Sequence, residues 1–288
     1  MKEAMLYSAM TPALGAQLTQ LLMQAGRIVV GAGWGLSSAA GLPREEDEMS
    51  AEFAPLVQAG LVTYAQAEAA LTPEDARFWG YWFRRIRKLR FQSGRSAVHD
   101  HLLALLKGRD YAILTTTVDG LFYKSHVEDG RLYPLQGDLS RLHCAEGCQD
   151  ETYAVLAYLR RALPHIDEAT LVLPDAKRPR CPHCGALLVP NIASMPHFCL
   201  GPYREAAQRV KHYLHEKTAE PLVLLEIGVG YGAPDLIRFP FEFLTESRRD
   251  VTLIRINDRY PLCAEENRAK AICIGMDAAC ALREWAGQ

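Results

Sequence analysis

The stretch Ile28-Val29-Val30-Gly31-Ala32-Gly33-Trp34-Gly35-Leu36-Ser37-Ser38-Ala39-Ala40-Gly41-Leu42-Pro43 constrains this chain more than any other. A short β-branched run enters it, and three glycines and a string of small residues follow. This is how a strand ends and a loop opens that lets backbone approach a ligand closely. Gly31, Gly33 and Gly35 can take positive φ and carry no Cβ to obstruct a diphosphate. A helix starting near Ser37 would point its N-terminal amides and positive dipole end at such a group. The stretch fits a dinucleotide site, and it fits a plain strand-to-helix turn equally well.

The 288 residues suffice for one large domain, or for a large domain plus a small one. Hydrophobic residues make up 49% and charged residues 23%, the balance of a soluble globular chain. A net charge of −2 argues against nucleic-acid binding through a general basic field. The first residues carry acid at Glu3 and no sustained apolar core, so they do not read as a signal peptide. No apolar run approaches the ~20 residues of a membrane span. The expectation is a cytoplasmic protein without a membrane partner.

Along the chain, apolar positions at helical spacing predict a helix over 11–25, ended near Gly26. Strand one is Arg27 to Val30. The acidic patch Arg44-Glu45-Glu46-Asp47-Glu48 reads as a solvated loop over or beside the site. From Ser50 to Gly108 the pattern is mostly helical: 51–58, the alanine-rich 64–71, a helix start at Thr72-Pro73-Glu74-Asp75, and 96–106. Phe78 to Arg90 is aromatic and basic. It reads as a docking face for an acidic partner or, as favoured here, as a core-packed helix with a solvated basic face. His99 and His101 are read as structural. Buried strands follow at 111–114 and 132–135, with Thr115-Thr116-Thr117-Val118-Asp119-Gly120 and a short helix through His126 between them. Val223 to Ile227 reads as a fully apolar strand running into a second glycine turn, Gly228-Val229-Gly230-Tyr231-Gly232. A helix over 233–245, strands at 251–256 and 271–274 and a helix over 277–286 complete the pattern. Apolar strands alternating with helices mean a parallel sheet covered on both faces. The two glycine turns, the threonine turn and Asn257 would then share the carboxyl edge, where such sheets bind ligands.

Eight cysteines in a chain read as unexported are thiols or metal ligands rather than disulfides. Cys144-Ala-Glu-Gly-Cys148 and Cys181-Pro-His-Cys184-Gly185 lie about thirty residues apart. The second pair has the form of a zinc knuckle, and four thiolates close a coordination sphere, so the metal would be structural. His143 and His183 are substitute ligands by position. Cys199, Cys263, Cys273 and Cys280 read as ordinary thiols.

With these parts in order, the chain resembles the sirtuins, NAD-dependent deacylases and ADP-ribosyltransferases. The family's Gly-Ala-Gly loop is matched by Gly31-Ala32-Gly33 and then Leu36 to Pro43, with Trp34-Gly35 inserted. Its Thr-Gln-Asn-Ile-Asp turn is matched by Thr115 to Asp119, its Gly-Thr-Ser turn by Gly228-Val229-Gly230, and its Ile-Asn by Ile256-Asn257. The four cysteines match its zinc module. Three positions depart from the family. Gln136-Gly137 stands where deacylating members carry a catalytic His-Gly, and a glutamine amide takes up no proton at neutral pH. Pro43-Arg44-Glu45-Glu46 replaces Pro-Asp-Phe-Arg. Thr117 replaces an asparagine that positions the nicotinamide ribose and the nucleophile; its hydroxyl is shorter and has one donor rather than two. Gly35, the Gln136-Gly137-Asp138 turn and Gly-Val-Gly with the later Ile-Arg-Phe-Pro-Phe are similar to the microbial class M branch.

The resemblance implies an α/β fold: a Rossmann-like parallel sheet (1–49, 98–140 and 203–288), a helical insertion (50–97) and a small zinc-ribbon module (141–202). It implies NAD as cofactor and structural zinc on Cys144, Cys148, Cys181 and Cys184. Gly31, Ala32, Gly33, Leu36 and Ser37 are assigned to the diphosphate and adjacent ribose, and Thr115, Thr117 and Asp119 to the nicotinamide ribose. Gln136 is assigned to a ribose hydroxyl or the acceptor, and Gly228, Val229, Gly230, Asn257, Met276 and Asp277 to the adenosine end. Gln136, Thr117 and Asp119 are the implied catalytic set. The implied reaction moves ADP-ribose from NAD to an acceptor protein, in known class M cases a lipoylated glycine-cleavage-H-like carrier, with a macrodomain hydrolase as the expected eraser. A lysine deacylase and an NAD-sensing module are the alternatives.

Overall fold

The computed structural model describes residues 6–128, 130–216 and 220–287; Glu3 lies outside them. Ten strands and eleven α-helices are formed by the described residues. In chain order these are β1 (Leu6–Tyr7), α1 (Pro12–Gln24), β2 (Arg27–Ala32), α2 (Trp34–Ala39), α3 (Ala54–Gln58), α4 (Tyr64–Ala70), α5 (Phe78–Ile86), α6 (Ala97–Leu106), β3 (Tyr111–Thr115) and α7 (Leu121–Lys124). They continue with β4 (Leu132–Pro134), β5 (Gly137–Cys144), β6 (Thr152–Ala154), α8 (Val155–Ala162), β7 (Leu188–Ile192) and α9 (Arg204–His215). The last five are β8 (Leu222–Ile227), α10 (Arg238–Ser247), β9 (Val251–Ile256), β10 (Ala271–Ile274) and α11 (Ala278–Ala286). Seven strands form one parallel sheet in the order β1-β10-β9-β8-β2-β3-β4. A second sheet, β6-β5-β7, is antiparallel.

Alternation along each central strand explains the layers. Ile28 and Val30 of β2 and Val223 and Leu225 of β8 enter one core with Leu14 and Leu18 of α1, Leu102 of α6 and Trp285 of α11. Val29, Leu222 and Leu224 enter the opposite core with Val210 and Tyr213 of α9 and Phe241 of α10. A third core joins the helices of 53–89 to Leu139, Leu142, Val155 and Leu188, so the insertion and the cysteine-bearing segment share one apolar interior.

Several boundaries move for identifiable reasons. Thr72-Pro73 forms a turn, and α5 begins only at Phe78. The helix expected over 233–245 spans Arg238–Ser247, which puts Pro240 in its first turn, where a missing N–H costs nothing. The 51–58 helix divides into a 3₁₀ turn (Ala51–Phe53) and α3, with Pro55 at the start of the latter. The basic face of 78–90 is not solvated throughout. Arg84 and Arg85 are buried; Arg84 reaches Glu168 at 2.7 Å, and Arg85 stacks 3.8 Å from the Tyr64 ring centre. β8 is not fully apolar, because Glu226, its next-to-last residue, lies fully buried within it. No helix among the described residues is long and apolar enough to cross a membrane.

His99 is structural, as expected. Its Nδ1 lies 2.9 Å from Ser96 Oγ, which also caps α6, and its ring packs edge-on against Phe122. Burial lowers its pKa to about 4. The unfolded chain therefore binds a proton that the folded chain refuses between pH 6.5 and about 4, so stability falls as pH falls through that window. The expected loss is about 3 kcal/mol. Thermal melts of wild type and His99→Gln across this range should converge as pH drops; parallel curves would remove His99 from the effect.

Candidate functional site

The site grows from one row of backbone hydrogen bonds. Beyond the end of each central strand, the next residue donates to the last carbonyl of its neighbour. Asn257 N reaches Ile274 O at 3.0 Å, Gly228 N reaches Ile256 O at 2.9 Å, Gly33 N reaches Ile227 O at 2.9 Å and Thr116 N reaches Ala32 O at 3.0 Å. Four loops thus leave the sheet along one edge, beside the point where β2 is flanked by β8 and β3 and the chain order reverses.

Glycine is required where two of these loops cross. Gly228 has φ +61°, and a Cβ there would stand 2.5 Å from Leu36 N. A Cβ on Gly33 would meet Gly228 O at 2.5 Å, and one on Gly35 would meet Gly228 Cα at 2.6 Å. Neither Gly31, Gly33 nor Gly35 uses positive φ; what matters is the missing side chain. Gly31 lies inside β2 against Ile237, just before α10, and Phe241 of α10. The helix after the loop begins at Trp34 rather than near Ser37. Two of its amides are already engaged, Gly35 N with Gly228 O at 2.9 Å and Leu36 N with Gly33 O at 3.0 Å.

A cleft of about 320 Å³ opens over this crossing. Among the expected residues, Gln136, Gly228, Val229, Gly230 and Asn257 line it. Gly31, Ala32, Gly33, Leu36, Ser37, Thr115, Thr117, Asp119, Met276 and Asp277 lie outside its lining. The reasons are local. Ser37 is fully buried and donates to Asp119 Oδ2 at 2.6 Å, while Asp119 Oδ1 accepts from Leu121 N at 2.7 Å. Burial pushes the Asp119 carboxyl above the usual range, against hydrogen bonds from Ser37, Leu121 and Thr117. Thr117 Oγ1 lies 2.9 Å from Thr115 Oγ1, which itself bonds Ala32 O at 3.2 Å. Asp277 is the N-cap of α11, its Oδ1 accepting from Ala279 N at 2.9 Å. Asn257 lines the cleft with its amide committed: Nδ2 donates to Val229 O at 2.8 Å, and Oδ1 accepts from Arg259 N and Tyr260 N.

The cleft also has walls that the sequence did not single out: Trp34, Thr116, Tyr231, Asp258, Arg259 and Tyr260. The acidic loop stands beside the site as expected, since Arg44, Glu45 and Glu46 line it too. Its walls are tied across the mouth by Arg259 to Glu46 at 2.8 Å, and Arg44 is anchored on Ser38 Oγ at 2.8 Å. Beneath them, Glu226 accepts from Arg238 at 3.1 Å and from Arg255 Nη2 at 2.9 Å, all three nearly or fully buried. Arg238 also holds the carbonyls of Val229 and Tyr260, at 3.1 and 2.9 Å. Burial raises the Glu226 carboxyl, and the two arginines pull it back.

A second chamber of about 230 Å³ adjoins the cleft, sharing Trp34, Glu45, Thr116 and Gln136 with it. Its remaining walls include Trp82, Leu89, Val118, Leu139 and Ile192. Gln136 is set between the two by the turn from β4 into β5. Gly137 has φ +88°, and a Cβ there would stand 2.0 Å from Asn191 O.

Away from the cleft, the four Sγ atoms of Cys144, Cys148, Cys181 and Cys184 lie within 4.8 Å of one another, with 144–184 and 148–181 both at 3.5 Å. Tetrahedral zinc with bonds of about 2.3 Å holds its sulfurs about 3.8 Å apart, so the cluster fits that ion. His143 takes no part; its Nε2 lies 2.7 Å from Pro196 O.

No protein-family model matches the chain. A protein of Fusarium oxysporum f. sp. cubense described as "Probable bifunctional ADP-ribose hydrolase/ADP-ribosyltransferase" is 32% identical over 246 residues, covering 82% of this chain and 41% of that protein. A "Protein ADP-ribosyltransferase" of Staphylococcus aureus is 22% identical over 240 residues, covering 82% of this chain and 75% of that protein. The chain thus spans less than half of the fungal relative's length. Among solved structures, a mutant Sir2 homologue in complex with ADP-ribose superposes with a TM-score of 0.61 at 16% identity, each chain 94% covered. A Sir2 homologue–NAD complex superposes at 0.60 and 17% identity, with 98% of this chain and 95% of that one covered. The architecture is that of the Sir2 homologues.

The cysteine cluster makes a direct prediction. Metal analysis of purified protein should find about one zinc per chain, and Cys181→Ser should lose it together with thermal stability. Metal-free protein with an unchanged melt would remove the ion from the fold.

Proposed function

We propose, from the premise that this chain is a sirtuin-type protein by fold, that it is an NAD-dependent protein ADP-ribosyltransferase. The carrying observation is the composition of the cleft. It opens over the crossing of two glycine turns at the carboxyl edge. Among the four residues it shares with the second chamber, Gln136 stands where deacylating sirtuins carry their histidine, so that position can orient but not deprotonate. NAD supplies the ADP-ribose and carries nicotinamide away as leaving group. Gly35 and Gly228, where the two turns cross, let backbone approach its diphosphate, with Gly31, Ala32, Gly33 and Leu36 shaping the turn beneath and Val229, Gly230 and Asn257 toward the adenosine. Gln136 hydrogen-bonds a ribose hydroxyl or the acceptor. Thr115, Thr117, Ser37 and Asp119 form the buried brace that fixes the threonine turn behind Thr116. Met276 and Asp277 flank the adenosine end from outside the cleft wall. Zinc on the four cysteines is structural.

Support comes from two relatives whose names carry this activity. The Fusarium relative is named for both an ADP-ribose hydrolase and an ADP-ribosyltransferase, which favours a hydrolase that removes the mark as a working partner. The acceptor we propose is a lipoylated carrier of the glycine-cleavage-H kind, modified in the cytoplasm. Deacylation is the lesser reading, since it needs a base where Gln136 stands.

Adenylate-labelled NAD mixed with candidate carriers, with and without lipoylation, tests this. Label should move to a carrier, and Gln136→Ala should slow transfer about tenfold or more while weakening NAD binding by less than that. Deacylation of an acyl-lysine peptide without label transfer would overturn the reading, and unchanged transfer by the variant would remove Gln136 from it.

A further inference from the structure

The transfer proposed above leaves a proton unassigned. A hydroxyl, amine or water that attacks the ribose must lose a proton, and Gln136 cannot take it. Four residues line both the cleft and the second chamber: Trp34, Glu45, Thr116 and Gln136. Only one of them, Glu45, carries a titratable group.

Its surroundings leave that group free. Glu46 is bound to Arg259 at 2.8 Å, and the Asp47 carboxylate accepts from Arg44 N at 2.7 Å. The Glu45 carboxylate has no hydrogen bond or ion pair among the described residues. The backbone beneath it is held: Glu45 O accepts from Ala65 N of α4 at 2.8 Å, and the adjacent Arg44 is pinned to Ser38. Glu45 is exposed and borders both cavities on an anchored backbone, with the Glu68 carboxylate of the second chamber as an electrostatic neighbour, so a carboxylate there can take a proton from the cleft and pass it to water.

We propose that Glu45 is the catalytic base of this site, a conclusion that rests on the transferase reading. The acceptor's lone pair forms the new bond to ribose C1′. The C1′–nitrogen bond to nicotinamide breaks, and its electron pair leaves with nicotinamide, which departs neutral. The acceptor's proton passes to Glu45 and from there to water. The acceptor thus presents a protic nucleophile through the second chamber.

Azide separates this role from others, because it attacks C1′ with no proton to lose. Wild type and Glu45→Gln are incubated with NAD in water and with added sodium azide. ADP-ribose, ADP-ribosyl azide and nicotinamide are quantified, and NAD affinity is read by calorimetry. Glu45→Gln should form ADP-ribose about 100-fold more slowly than wild type, while forming the azide adduct at the wild-type rate. NAD affinity should be unchanged. Glu45→Ala should repeat the pattern. A parallel fall of both products would make Glu45 a binding or charge-stabilising group and overturn the proposal, as would no fall in either. Wild type that binds NAD yet releases no nicotinamide in either medium would overturn the transferase reading itself, and the base with it.

Discussion

One buried carboxylate organises the edge on which the site stands. Glu226 sits on the central strand β8 with no exposure, and two arginines close on it, Arg238 from α10 and Arg255 from β9. Burying three charges is costly, and a pair of this kind is weak grounds for stability on its own. Here the remaining donors are used. Arg238 bonds Val229 O, Tyr260 O and Leu262 O, and Arg255 bonds Glu242 and Leu262 O. The carbonyls of both loops on one side of the cleft therefore hang from a single anion. The same Arg238 lies 4.7 Å from the Tyr231 ring centre, and Tyr231 meets Tyr260 edge-on. Loop positions that would otherwise cost conformational entropy on ligand binding are set in advance.

Opposite this frame, the glycine turns interlock. Because Gly33 and Gly35 rest on Gly228 backbone, the first loop and the loop after β8 have one relative position rather than many. The cleft is the space left above that contact. Its lining combines backbone, Thr116, Gln136 and Asn257 with the aromatic rings of Trp34, Tyr231 and Tyr260 and charged side chains on the loops over it. The second chamber is bounded by aromatic and aliphatic side chains, with the Glu68–Arg85 pair at 3.5 Å on its wall.

Much of this was legible in the sequence, for physical reasons. β9 and β10 begin and end where the sequence pattern puts them, and α1 and α6 follow Thr11 and Ser96, which cap them. The four cysteines converge as their spacing requires. What escaped depends on contacts between distant segments. Glu226 looks like an interruption of an apolar run until Arg238 and Arg255 are seen beside it. Arg84 and Arg85 look solvated until α5 is packed among α8 and the helices before it. Ser37 and Asp119 look like ligand groups in their separate turns, whereas the fold brings them together and commits each to the other. Asn257 lines the cleft, yet its amide serves the loops. Glu45 stood in a charge run, and only the folded loops show that it borders both cavities.

The central claim is that the dinucleotide lies over the glycine crossing with its reactive ribose between Gln136 and Glu45. A crystal structure of the protein with ADP-ribose tests this most directly. The account predicts the diphosphate against Gly35 and Gly228, the adenosine toward Asn257, and the distal ribose within hydrogen-bonding reach of Gln136. ADP-ribose bound elsewhere, or bound here with its distal ribose turned away from Gln136, would contradict it.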